Sequence, residues 1–194
     1  ADSGAAAPAR APVLDTVRRG IRTVVIDPGH GGKETGAIGP SGAAEKVAAY
    51  DHALDRLLRY HPDVVPAAEE IAADAAALPM GQVFMAYLLL MSTDEPDVAA
   101  AREAVARLAA LPLNDRETAH VAAVTAWVEG RWHEAARTLD ELLVRWPTDV
   151  LALVAGHLLD FFLGDAQNLR DRVGRSLPNF DPEHPHTGFV RGMH

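Results

Sequence analysis

The chain has 194 residues with 27 acidic against 18 basic side chains, a formal net charge of −9, and it contains no cysteine. The charge argues against nucleic acid or an anionic membrane surface as the main partner. The missing thiols rule out disulfides, thiolate ligands and a cysteine nucleophile, so a metal site must draw on His, Asp and Glu. No apolar run reaches the length of a membrane span, about 18 residues, and the opening stretch lacks the apolar core of a signal peptide; a soluble protein is expected.

In chain order, the Ala- and Pro-rich residues 1–20 read as disordered. The β-branched run Ile21 to Ile26 suits a buried strand running into the glycine loop DPGHGGKETGAIGPSG. A lone strand leaves unpaired backbone along both edges, and no second strand follows. From Val47 the texture changes to alanine, leucine and charge at helical spacing. Helices are predicted over 47–60, 64–77, 80–91, 97–110, 115–129, 132–145, 149–163 and 166–176. Their stops are His61-Pro62, Leu78-Pro79, Asp94-Glu95-Pro96, Pro112 with Asn114 as a cap, Gly130, Trp146-Pro147 and Gly164-Asp165. The expected class is mainly α, built as an α-solenoid of helical hairpins over residues 47–194, with a short strand and loop at residues 21–46 in front.

The stretch GRWHEAARTLDELLVRWP carries the repeat reading. Gly130 ends one helix, Trp132 and Ala135 begin the next, Leu139 follows on the same face, and Pro147 stops it. That pattern is the second half of a tetratricopeptide-like hairpin, in which small Ala135 admits a neighbour and Trp132 and Leu139 fill the groove between helices. Ala119, Ala122, Ala123 and Ala126 offer the matching small face on the preceding helix. A weaker hairpin can be drawn from Val83 to Leu111.

Four further features carry a resemblance: LPLN, RE and AHV between Leu111 and Val121, the Trp-Pro-Thr-Asp turn with LAL at Trp146 to Leu153, HLLDFFLGD at His157 to Asp165, and NLRDRV before Leu177-Pro178. Residues 47–194 closely resemble the front portion of the tetratricopeptide repeat protein 38 family. The resemblance implies an α-solenoid that binds a protein or peptide partner, a cytoplasmic setting, and no catalytic residues. Members of that family continue for many helices, so an apolar face that further repeats would cover is expected to be exposed here and to drive self-association.

A second resemblance covers Ile26-Asp27-Pro28-Gly29-His30-Gly31-Gly32 and Glu45-Lys46. Residues 21–46 are similar to the first part of the zinc-dependent N-acetylmuramoyl-L-alanine amidases, which act on peptidoglycan in the periplasm or cell envelope. By that resemblance His30 and Glu45 are zinc ligands. A catalytic zinc takes three protein ligands and a water, and a third ligand is not found: His52, His61, His120, His133 and His157 all fall in or beside predicted helices. Three functions follow, an interaction scaffold, a zinc amidase, and a fusion of two fragments joined near Lys46 and Val47 with no function as a unit.

Other conspicuous residues have plain readings. His157, on a strongly apolar helix, reads as a core histidine. His184 and His186 read as an exposed proline-bracketed loop that could pick up a metal, and Asp160 and Asp171 as caps or surface carboxylates. Trp127, Trp132 and Trp146 read as packing residues. Lys33 is followed by Glu34 rather than Ser or Thr, which argues against a phosphate loop.

Overall fold

The structure is a computed structural model, and it describes residues 43–194. Nine α-helices and one 3-10 turn make up the described part. They are α1 (Ala43–Leu58), α2 (Val64–Ala72), α3 (Pro79–Met91), α4 (Glu95–Leu108), α5 (Asp115–Val128), α6 (Trp132–Arg145), α7 (Val150–Leu163), α8 (Ala166–Ser176) and α9 (Thr187–Met193), with the 3-10 turn at Leu177–Asn179 before α9. No strand occurs among the described residues. The protein is mainly α, as expected; the predicted strand and the glycine loop lie outside the described residues.

Each helix from α1 to α8 packs on the next, and α3 also touches α5 and α7. One continuous apolar core results, running from Tyr50 in α1 to Val190 in α9. Its centre holds Phe84 and Tyr87 of α3 and Trp127 of α5, with Tyr50 edge-on to Phe84 and Tyr87 tilted against Trp127. Helix α3 is apolar on nearly all sides: Phe84, Tyr87 and Leu90 are buried, while Met85, Leu88 and Leu89 are half-buried.

The ends of the later helices are locally encoded. Asn114 accepts from the Glu117 amide at 2.8 Å, and the Glu117 carboxylate accepts from the Asn114 amide at 2.9 Å, a complete capping box for α5. Gly130 has φ +78°, and the Arg131 and Gly130 amides donate to Ala126 and Trp127, closing α5 with the paired bonds of a Schellman turn. Gly164 ends α7 in the same way. Asp149 and Asp165 cap α7 and α8 through the amides of Ala152 and Asn168.

Several expectations are corrected. Helix α1 begins at Ala43 and passes through the expected boundary between Lys46 and Val47, and Lys46 is tied to Asp74, beyond α2, at 2.8 Å. Helix α2 ends at Ala72 instead of 77, because the Asp74 carboxylate accepts from the Ala77 amide and builds a turn that competes with the helix. Helix α4 starts two residues earlier than expected, its Pro96 falling in the first turn where its missing N–H is harmless. Helix α9 is an addition. Ala122 faces solvent, while Ala123 and Ala126 are buried and supply the small face of α5.

Candidate functional site

Among the described residues a groove of about 950 Å3 is walled by the turn between α1 and α2, by α3, by α7 and by α9. Leu57 and Val64 form one side, Met85, Leu88 and Leu89 of α3 the floor, Val154 and Leu158 of α7 the far side, and Phe189 and Met193 of α9 the edge. Tyr60 and Val65 stand at its mouth, 89% and 50% exposed. Tyr60 occupies the left-handed region, φ 52°, which swings the chain from α1 into α2 and throws its ring outward. Methionine is prominent: Met85, Met91 and Met193 line the groove, while Met80 is buried in the core. Unbranched thioether side chains adapt to varied apolar surfaces.

Apart from the exposed Tyr60 at the mouth, the polar side chains of the wall have partners within the protein. The His157 ring donates from Nδ1 to the Leu169 carbonyl at 3.2 Å, and burial lowers its pKa, favouring the neutral ring. His61 Nδ1 accepts from the Asp63 amide at 3.2 Å. The Ser92 hydroxyl lies 2.6 Å from the Asp97 carboxylate. What the groove offers an incoming group is therefore apolar contact, with Asp97 the one formally charged side chain of the wall among the described residues.

Two buried ionic clusters brace the helices around this groove. Asp149 lies 2.6 Å from Arg116 Nε and 2.9 Å from His120 Nε2, and His120 Nδ1 lies 3.2 Å from the Tyr87 hydroxyl. Burial pushes the Asp149 carboxyl up, but Arg116 and then His120 more than offset it and hold it well below the usual carboxylate range. Burial lowers His120 and raises Tyr87, so a neutral imidazole that donates to Asp149 and accepts from Tyr87 fits this chain of bonds. The arrangement of acid, imidazole and phenol has the parts of a proton relay, yet all four side chains are buried and none lines the groove. Its effect is to lock α5, α3 and the start of α7 together.

The second cluster joins α7 to α8. Arg172 donates to both oxygens of Asp160 at 2.7 and 2.9 Å and to the Ala136 carbonyl at 3.2 Å. Asp140 of α6 pairs with the same guanidinium at 2.9 Å. A Cβ at Gly156 would sit 2.7 Å from that guanidinium, so only glycine lets Arg172 lie flat across α7. Asp160, expected at the surface, is buried because Arg172 reaches in to neutralise it; Asp171 does stay near the surface, paired with Arg170.

The expected repeat residues fall as follows. Gly130 closes α5, Ala135 and Leu139 are fully buried, and Pro147 follows the end of α6. Trp132, expected to fill the space between helices, is instead 37% exposed, its ring 5.9 Å from Phe162. Trp127 is the tryptophan of the core, and Trp146 carries the Arg145 guanidinium 4.4 Å above its ring. His184 and His186 are half-buried, not exposed: their rings meet edge to face with centroids 5.6 Å apart, and His184 packs edge-on to Phe180.

Of the expected zinc ligands, Glu45 is exposed in the first turn of α1, and His30 lies outside the described residues. Among the described residues no three His, Asp or Glu groups converge to hold a metal ion. No helix of the described residues is long and apolar enough to cross a membrane. No family model matches the chain, and no solved structure matches it.

Sequence reasoning missed the groove. Its α9 wall had one local signal, Phe189 and Met193 four residues apart in TGFVRGM, hidden behind the prolines of DPEHP.

Proposed function

We propose that residues 43–194 are a helical-repeat interaction module, hairpins stacked in the tetratricopeptide manner, whose groove takes an apolar helical segment of another protein. The observation that carries this reading is the groove itself, a wide apolar surface drawn from five helices, with Tyr60 and Val65 exposed at its mouth. Small-molecule sites add convergent polar groups that orient the ligand; here His61, Ser92, Asp97 and His157 of the wall are engaged within the protein. A helix laid in a groove needs only apolar anchors one turn apart. The contact between α3 and α7 brings together two of the helices that wall the groove.

Calorimetry with a neutral synthetic helix of Leu, Ala and Gln tests the reading. One-to-one binding with a negative heat-capacity change is expected, because apolar surface is buried. Heats that vanish, or that are unchanged when Gly192→Leu fills the groove, would contradict it. The amidase reading rests on the resemblance of residues 21–46 and would be tested by muropeptide hydrolysis lost in His30→Ala and Glu45→Ala.

A further inference from the structure

The groove combines three observations that together specify its occupant. Its wall is apolar, and no lysine or arginine lines it among the described residues. The charge around its α3 end is acidic: Asp97 is in the wall, and the exposed Asp94 and Glu95 stand beside it in the turn that opens α4. Asp63, exposed, lies between the lining residues His61 and Val64. Arg56, Arg59 and Arg191 each adjoin a lining residue in sequence, Arg56 lying 3.4 Å from His52, Arg59 held by Asp55 at 2.8 Å and Arg191 exposed on α9; none of them lines the groove.

The third observation concerns α9. Gly188 and Gly192 stand one turn apart and both line the groove, and a Cβ added at either meets no atom within 4 Å. The wall is bare backbone there, with room for another helix to approach closely. Elsewhere in the fold, glycines at close packing meet neighbours at once, as Gly156 does against Arg172.

Resting on the interaction-module reading above, we propose that the groove's partner is a basic amphipathic helix, its apolar face against Met85, Leu88, Phe189 and Met193 and its Lys or Arg side chains on the acidic residues at the α3 end. Acidic residues beside an apolar floor favour a cationic helix over an anionic one, and they speed its encounter with a chain already at −9. A second copy of this chain, equally acidic, is disfavoured by the same charge.

The test uses the 194-residue chain and synthetic helices of about 18 residues, or about five turns. All share one Leu and Ala face; the opposite face carries Lys in one peptide and Glu in another, and a third peptide scrambles the Lys sequence. The Lys helix is expected to bind about tenfold or more tighter than the Glu helix, with the preference shrinking as salt is added. Gly192→Leu is expected to abolish binding of both, and Asp94→Lys with Glu95→Lys to weaken the Lys helix alone. Equal or stronger binding of the Glu helix would overturn the basic partner while leaving the interaction module standing. Equal binding of the scrambled peptide would overturn it as unspecific attraction. If no helix binds a protein that circular dichroism shows folded, the module reading itself falls. If no helix binds and sedimentation shows a dimer that Gly192→Leu dissociates, the occupant is a second copy and the proposal is wrong.

Discussion

Helices α5 to α8 and helices α1 to α4 are held in different ways. In the later group, α5, α7 and α8 each begin on a side-chain cap, and α5 and α7 end on left-handed glycines. Two buried ionic clusters then join them. In the earlier group none of α2, α3 and α4 has a side-chain cap bond, and the turns after α1 and α3 place Tyr60 and Thr93 in the left-handed region without glycine. Those helices are positioned by apolar packing around Phe84, Tyr87 and Leu90. Local signals specify the later half, tertiary packing specifies the earlier half, and the groove opens where the less constrained half meets α7 and α9.

That contrast can be broken most forcefully at Asp149. Replacing it by Ala strands Arg116 and His120 without their carboxylate and removes the α7 cap, with an expected loss of about 3–5 kcal/mol in chemical denaturation. A loss under 1 kcal/mol would show that the cluster does not brace the later helices. Leu139→Ala should lose about 2–5 kcal/mol, because its side chain is fully buried between α6 and its neighbours. The turns sharpen the comparison with opposite signs. Gly130→Ala should destabilise by about 1–2 kcal/mol, because φ +78° pushes Cβ toward the carbonyl. Tyr60→Gly should stabilise by up to about 1 kcal/mol, since φ 52° is relieved and the exposed ring contributes little packing. Equal signs would contradict the assignment of strain to the earlier half.

Acidity supplies a gentler probe. Burial is the largest influence on His120, His157, His184 and His186, and each is lowered from its ordinary value. With folded values below unfolded ones, the unfolded chain binds more protons, so stability is full above about pH 6.5 and falls as pH drops through that range. Asp149, held low in the folded state, adds a further loss at pH below about 4. Thermal melting from pH 7.5 to 5 should show Tm falling monotonically; a Tm that rises toward pH 5 would reverse the sign.

Legibility in the sequence follows the same division. Helices α6 and α8 were readable to their ends because Gly130, Pro147 and Asp165 are local punctuation. Helix α2 was read too long because nothing in the alanine run shows that Asp74 turns back on Ala77. The ionic clusters were invisible for a different reason: Arg116 and Asp149 are 33 positions apart, and each taken alone looks like a surface charge. Trp132 matched the repeat pattern in position and still fell at the surface, its ring 5.9 Å from that of Phe162. The groove has no local signature, since its wall comes from segments between Leu57 and Met193 that only the fold assembles.

The most direct measurement uses the four methionines as reporters. With 13C-methyl labelling, titration of the Lys-faced amphipathic helix should shift Met85, Met91 and Met193, which line the groove, and leave the core residue Met80 in place. Shifts at none of the three, or equal shifts at all four, would contradict the docking of a helix in this groove.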